Sequence, residues 1–540
     1  MFCLASTIIV LLSLFRISCF KWSKGLNNIS VDNDQTKYSC QFASPKKCHM
    51  TFFSTIIDFS YLRKIDCQNK KPSFDLVQEM WQENLSFRDS VESFEGLAYP
   101  FTNNDKFTFN KFKSEKDFSN KVKENIIFFN DITETYFLNS EIILLNNNGN
   151  FEIDINLKYN ESLSKIRNEI IKGNNYNNEN INKNILFIYI DSLSRSHFYR
   201  KMVSVSKFLE KYNSNNLNVN NINTNYETFQ FFKYQTFKNN YDIPSIQSMF
   251  YNQTKNSNSN RNSFYKNIHI LSYLKQNGYV TGQSANICSK EFYSYNLEEK
   301  KEFFKNAEIE EYDHENIGMF CDPFYFVDDE DKESYQKSIK GINSSIKRCI
   351  YGKNSFEYVL DYGYQFWSKY INNTKFLRLG FFDGNEKTGE VIKYLDNDLY
   401  NFLEKLLNEN MLLNTILFIA SGQGNIYDEF FNNYNYEDFF VEKYIGTLFI
   451  FIDKKNIKST DDYLNNIRNN QQIMITPYDI KETLESIAVN NIYNDMKENE
   501  QKYKGIFKKG KSLFSFINPK ERNCGRYKQL NDKVCRCHYF

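Results

Sequence analysis

Ile185 to Ile190 read ILFIYI, a run with no polar face, and it stops on the carboxylate of Asp191. A stretch apolar on both sides fits a buried strand of a parallel sheet better than an amphipathic helix. Thr415 to Ala420 (TILFIA) is a second such run, and Gly446 to Ile452 is a third. Shorter strand signals lie at Tyr279–Gly282 and Phe376–Phe382. Helical patterns fall between them at His197–Tyr212, Leu271–Asn277, Phe356–Tyr370 and Glu390–Asn408. The last carries an apolar stripe at Val391, Leu395, Leu399, Phe402, Leu403 and Leu406. Alternation of this kind predicts an α/β protein with a doubly wound, mainly parallel sheet. Ligand chemistry in such sheets gathers outside the carboxyl ends of the strands. Asp191, followed by Ser192, Ser194, Arg195 and His197, stands at such an end.

The 540 residues leave room for more than one domain. Residues 21–172 carry short β-like runs at Thr51–Phe59, Asn125–Asn130, Phe137–Leu145 and Phe151–Leu157, which predict a β-rich N-terminal region. Asn-rich inserts at 213–225 and 252–262 read as surface loops. The main α/β domain is expected over 180–517, and 518–540 is a basic, Cys-containing tail. A net charge of +1 gives no reason to expect nucleic acid or a charged membrane surface as partner.

Residues 1–20 contain an apolar stretch, Phe2 to Phe15, short for a span of about 20 residues and suited to a secretory signal peptide. An uncleaved anchor is the alternative, and would be the chain's one attachment to a membrane. The expected location is the secretory pathway, either extracellular or anchored on a lumenal or surface face. Disulfide candidates beyond that leader are Cys40, Cys48, Cys67, Cys288, Cys321, Cys349, Cys524, Cys535 and Cys537. None has the C-x2-C spacing of a zinc site. Sequons make Asn28, Asn84, Asn160, Asn252, Asn343 and Asn372 candidate glycan acceptors.

Taken in order, IDSLSRSHF (190–198), GYVTG (278–282), FCDP (320–323), FFDGNEKTGEVIKYLDNDLYNFL (381–403), NTILFIASGQGN (414–425), TPYDIKETL (476–484), GKSLF (510–514) and ERNC…CRC (521–537) resemble a known group. It is the sulfatase-like branch, of uncharacterised function, of the alkaline phosphatase/sulfatase superfamily. The resemblance implies a doubly wound α/β fold and a divalent-metal site that hydrolyses phosphate or sulfate esters. It also implies that Asp191 is a metal-binding residue. Where the superfamily has a nucleophilic Thr or Ser, this chain offers Asp242, or Tyr241 if the match slips by one. Where D-G-H-E is usual, Asp383-Gly384-Asn385-Glu386 stands. Where S-D-H-G is usual, Ser421-Gly422-Gln423-Gly424 stands.

Such a centre needs imidazoles and carboxylates to hold a metal that activates the nucleophile and polarises the ester. The chain has five histidines, and none falls where the superfamily places a ligand. Gly422 has no side chain, and Asn385 and Gln423 are neutral amides, weak ligands for zinc or manganese. The degenerate positions are thus Asp191, Asp242, Asp383, Asn385, Gly422 and Gln423, with Asp191 and Asp383 as residual metal candidates. The expectation is a secreted, sulfatase-like pseudoenzyme that binds or scaffolds, without a tight cofactor, with a phosphorylated or sulfated glycan near Arg195 as its candidate ligand. The alternative is an active metal-dependent hydrolase, or a phosphoglycan-modifying transferase, with Asp242 as nucleophile and zinc, manganese, calcium or magnesium on Asp191 and Asp383.

Plainer readings stand beside these. Ser194 reads as a helix N-cap and His197 as a surface residue rather than a nucleophile–base pair. Asp313-His314-Glu315 reads as a structural turn near Cys321 rather than a metal site. The acidic run 327–331 reads as a solvated surface, and Asp396 and Asp398 as the polar side of a helix.

Overall fold

A computed structural model describes residues 96–101, 127–129, 141–147, 150–173, 183–213, 225–237, 245–255, 265–287, 307–308, 312–321, 349–350, 352–385, 389, 391–425, 442–454, 461–488 and 510–522. In the N-terminal part, β1 (Gly96–Phe101), β2 (Ile127–Phe129), β3 (Ile142–Asn147) and β4 (Asn150–Ile155) form an antiparallel sheet in the order β2-β1-β3-β4. Helix α1 (Glu161–Gly173) follows, in a region where the residue pattern predicts only short strands and loops.

The main sheet has seven strands. These are β5 (Asn184–Ile190), β6 (Tyr226–Gln230), β9 (Val280–Ala285), β11 (His314–Asn316), β14 (Lys375–Phe381), β15 (Thr415–Ala420) and β16 (Leu448–Asp453). Their order is β11-β9-β14-β5-β15-β16-β6, with β16 antiparallel to both neighbours and the other neighbouring pairs parallel. Smaller strands make up the remainder. β7 (Tyr251–Lys255), β8 (Tyr265–His269) and β10 (Ala307–Glu308) form a three-stranded sheet, and β12 (Cys349–Ile350) pairs with β13 (Lys353–Asn354). The insert at 252–262, expected to be a loop, therefore begins as strand β7, which hydrogen-bonds along β8.

The helices are α2 (Arg195–Lys201), α3 (Val203–Lys211), α4 (Ser245–Phe250), α5 (Leu271–Gln276), α6 (Ser355–Lys369), α7 (Leu395–Asn408), α8 (Asp461–Asn470) and α9 (Pro477–Ala488). They cover both faces of the sheet. Leu186, Ile188 and Ile190 of β5 join α2, α3, α6 and α7 in one core, and Ile185, Phe187 and Tyr189 join α4, α5 and α9 in the other. This is the doubly wound arrangement expected of unbroken apolar strands.

The single helix expected over His197–Tyr212 is two helices that meet at Met202 (φ −103°, ψ 57°), whose side chain is buried. Asp396 of α7 supplies the cap of the second helix. Its carboxylate accepts from the backbone N–H groups of Ser204 (2.8 Å) and Val205 (2.9 Å). Far from lying on a solvated face, Asp396 is 7% exposed and satisfies the first amides of α3.

Candidate functional site

The carboxyl ends of β5, β14 and β15 bring Asp191, Asp383–Asn385 and Ser421–Gln423 to one edge of the sheet. Asp191 N–H donates to the Phe381 carbonyl (2.8 Å), so the chain keeps its register with β14 one residue beyond the strand. Ser192 then turns away with φ 56°, a left-handed conformation that costs a residue with a Cβ about 1–2 kcal/mol. Gly384 makes the turn possible. A Cβ there would lie 2.4 Å from the Asp191 carbonyl oxygen.

Tyr189 lies two residues before Asp191 on the same face of β5. Its hydroxyl donates to Asp191 Oδ1 (2.8 Å) and accepts the backbone N–H of Gly422. Burial, and then the Asp191 carboxylate it faces, push the Tyr189 phenol well above its ordinary pKa, so it remains a donor. A Cβ on Gly422 would stand 2.2 Å from that hydroxyl. The phenol thus occupies the volume into which a side chain at 422 would project. The Ser192 hydroxyl donates to Asp191 Oδ2 (3.3 Å).

Asp383 is 1% exposed, and its Oδ2 accepts from the Asn286 amide (2.8 Å). The same amide nitrogen donates to Ser355 Oγ (3.1 Å), and Asn286 Oδ1 accepts the Phe382 N–H (2.8 Å). Asn286 therefore ties the ends of β9 and β14 to the start of α6. Asn385 is buried and Gln423 half-buried on the same side. Tyr234 closes the far edge, donating to the Ser421 carbonyl (3.0 Å).

Ser194 is the N-cap of α2, as expected, and accepts the His197 N–H (3.0 Å). His197 is not a surface residue; it is 3% exposed. Arg200 can only donate, so His197 Nδ1 accepts from it (3.0 Å) and Nε2–H donates to the Gly389 carbonyl (2.6 Å). Arg200 also grips Glu442 with two bonds (2.8 and 2.9 Å), and the Ser194 hydroxyl donates to Glu442 (2.6 Å). Burial pushes the Glu442 carboxyl up, but the Arg200 guanidinium, helped by the Ser194 hydroxyl, outweighs it and leaves the carboxyl below its ordinary value. This cluster ties Gly389 and Glu442 to α2.

Asp313-His314-Glu315 is no turn. It enters and forms edge strand β11, and its three side chains go to separate partners. Asp313 pairs with Arg167 (2.9 Å) and caps Thr281, whose N–H donates to it (2.9 Å). His314 meets Glu141 (2.8 Å) and Tyr370 (2.7 Å), and Glu315 accepts from Gln283 (2.8 Å). Among the described residues no three His, Cys, Asp or Glu side chains are grouped to hold a metal. Arg195, expected beside a ligand, is buried and donates to the Phe232 carbonyl.

Several readings lie outside the described residues. They are the leader 1–20, the strand at Thr51–Phe59, Asp242, the acidic run 327–331, Asn28, Asn84, Asn343, Cys40, Cys48, Cys67, Cys288, Cys524, Cys535 and Cys537. Asn160 and Asn372 are both exposed, the former with its side-chain oxygen capping α1 through the Leu163 N–H (3.0 Å). No described helix is long and apolar enough to cross a membrane.

Sequence reasoning missed Tyr189, Asn286 and Glu442. The one signal for Tyr189 was a polar atom inside an otherwise hydrocarbon strand. Three late motifs also converge. Asp479 of TPYDIKETL accepts both Nη atoms of Arg522 from ERNC (2.8 and 2.9 Å) and the N–H of Lys511 from GKSLF (2.8 Å).

The family model described as "Protein of unknown function (DUF229)" matches residues 63–540. The chain belongs to that family. No curated protein matches this DUF229 member. Among solved structures it is similar to Ps i-CgsB in complex with k-i-k-neocarrahexaose, at 13% identity over 62% of this chain and 76% of that one, with a TM-score of 0.35. It is also similar to the lipoteichoic acid synthase LtaP from Listeria monocytogenes, at 13% over 53% and 71%, TM-score 0.30. A third is the PsFucS1 sulfatase from Pseudoalteromonas sp., at 11% over 70% and 77%, TM-score 0.33.

Proposed function

We propose that this DUF229 protein is a secreted binding or scaffolding protein on a hydrolase-type frame, in which the metal-dependent ester site has been lost. The observation that carries the reading is the Tyr189 hydroxyl, bonded to Asp191 Oδ1 and seated where a side chain at 422 would stand. A divalent catalytic ion needs several anionic or imidazole ligands converging on an open position. Here Asp191 receives Tyr189 and Ser192, Asp383 receives Asn286, and Gly422 offers no donor atom. That donor set does not fit a tightly held metal.

The ligand class we propose for it is a phosphorylated or sulfated glycan, held without being cleaved. The test is a melting-temperature screen of the secreted chain against sulfated and phosphorylated oligosaccharides, with ester release followed in parallel. A ligand that raises the melting temperature and is recovered intact supports the reading. Ester release by the purified chain overturns it.

A further inference from the structure

Two exposed sequons sit beside one another, each directly preceded by an exposed apolar side chain. They are Asn160-Glu161-Ser162, after Tyr159, and Asn372-Asn373-Thr374, after Ile371. Among the described residues, large apolar side chains are exposed at Tyr159, Ile166, Ile371, Leu413 and Phe516. Of these, Tyr159 and Ile371, at 46% and 48%, adjoin a sequon. Single apolar side chains at a surface need no explanation, but a pair gathered at one place does.

Tyr370 is where they gather. The Tyr159 ring packs on the Tyr370 ring, with centroids 5.1 Å apart, and the Asn160 N–H donates to the Tyr370 hydroxyl (2.9 Å). Ile371 and Asn372 follow Tyr370 in the turn that leads into β14. That turn is firmly held. Lys375 Nζ donates to the carbonyls of Tyr370 (3.0 Å), Ile371 (3.5 Å) and Asn373 (3.5 Å). Asn373, 4% exposed, accepts from the Ser164 hydroxyl (3.0 Å) and donates to Asn168 (3.2 Å), which fixes the turn against α1.

Both asparagines can carry a substituent without loss of the bonds around them. Asn160 Oδ1 caps α1, accepting the Ser162 hydroxyl (2.7 Å) and the Leu163 N–H (3.0 Å), while Nδ2 meets no partner among the described residues. An N-linked sugar attaches at that nitrogen and leaves the oxygen as acceptor. Asn372 is exposed, and its neighbour Asn373 makes the contacts that hold the turn. Both sites lie at the amino end of β14, whose seven-residue length, about 20 Å, separates them from the edge that carries Asp383. We propose that Asn160 and Asn372 are paired N-glycosylation sites, with the first sugars packing their C–H faces on Tyr159 and Ile371. The donor is a polyprenyl-diphosphate oligosaccharide. Nδ2 bonds to its anomeric carbon as the bond from that carbon to the diphosphate oxygen breaks. The lipid diphosphate leaves, and one amide proton passes to a base of the transferase. This inference rests on the secreted reading above and not on the loss of the ester site.

The experiment expresses the full chain in a eukaryotic host, with its own N-terminus and, separately, behind a strong secretion signal. Glycans are removed enzymatically in heavy-oxygen water, which turns each occupied asparagine into a labelled aspartate that mass spectrometry locates. Label at both Asn160 and Asn372 behind the strong signal supports the inference. Label there but not with the native N-terminus also supports the acceptor sites, and counts against the secreted reading alone. Absence of label from either asparagine behind the strong signal overturns the inference. Ser162→Ala and Thr374→Val end the two sequons while keeping both asparagines and the α1 cap. The double variant should self-associate, by light scattering, at about tenfold lower concentration than the glycosylated parent. Adding Tyr159→Ser and Ile371→Ser should restore the parent's behaviour. A double variant as monodisperse as the parent overturns the covering of Tyr159 and Ile371.

Discussion

Replacing Tyr189 by Phe removes one oxygen and tests the seal over Asp191 directly. That oxygen donates to a carboxylate at 2.8 Å and accepts the Gly422 N–H, and Tyr189 is 2% exposed. A hydrogen bond to a charged group contributes about 1.5–3 kcal/mol, and stranding a buried partner adds to the loss, so Tyr189→Phe should destabilise by about 2–3 kcal/mol. Gly422→Ala places a methyl 2.2 Å from the same oxygen and should cost about 1–3 kcal/mol as overpacking. In the Tyr189→Phe background the nearest ring atoms would be 3.2 and 3.3 Å from that methyl, a tight but tolerable contact. The two changes should therefore be coupled, with the double variant at least about 1 kcal/mol more stable than additivity predicts. Urea unfolding followed by tryptophan fluorescence, to which buried Trp367 contributes, measures all four corners of the cycle. Costs that add to within about 0.5 kcal/mol would show that the phenol does not fill the space at 422.

Two further outcomes follow from buried charges. Asp479→Asn leaves Arg522 buried without its counter-charge and should cost about 3–5 kcal/mol, read as a lower urea midpoint; a midpoint within error of the parent would refute the pairing. Burial pulls the Lys375 amine from 10.5 down to about 7. Between those values the unfolded chain holds a proton that the folded chain lacks, so stability rises with pH across that window. Relative to Lys375→Met, the parent should gain up to about 2 kcal/mol between pH 7 and pH 9, and a flat difference would count against the shift.

What could be read from the residues alone was the set of elements whose burial is nearly complete. TILFIA is β15 to the residue, and β5 and α6 begin within a residue of their expected starts, because no polar side chain interrupts their pattern. Strand β6 (YETFQ) was missed because it looks polar. Its Glu227 can be 1% exposed because Arg468 reaches it with two bonds, 2.9 and 2.8 Å, from 241 residues away, and Lys454 lies 3.6 Å from the same carboxylate. His197 was placed at the surface for the same reason, since its partners Gly389 and Arg200 come from different elements. The approach of Tyr189 to Gly422 depends on the register of β5 against β15, in which Tyr189 pairs with Ala420. Neither segment states that register by itself.

The most direct measurement is metal content and turnover on the same sample. The purified secreted chain is dialysed against zinc, manganese, calcium or magnesium, its bound metal is quantified, and generic phosphate and sulfate esters are then offered. A lost ester-hydrolysis centre predicts less than stoichiometric metal and no release above background, with Asp191→Asn indistinguishable from the parent. One tightly held ion per chain, with turnover that Asp191→Asn abolishes, would contradict it.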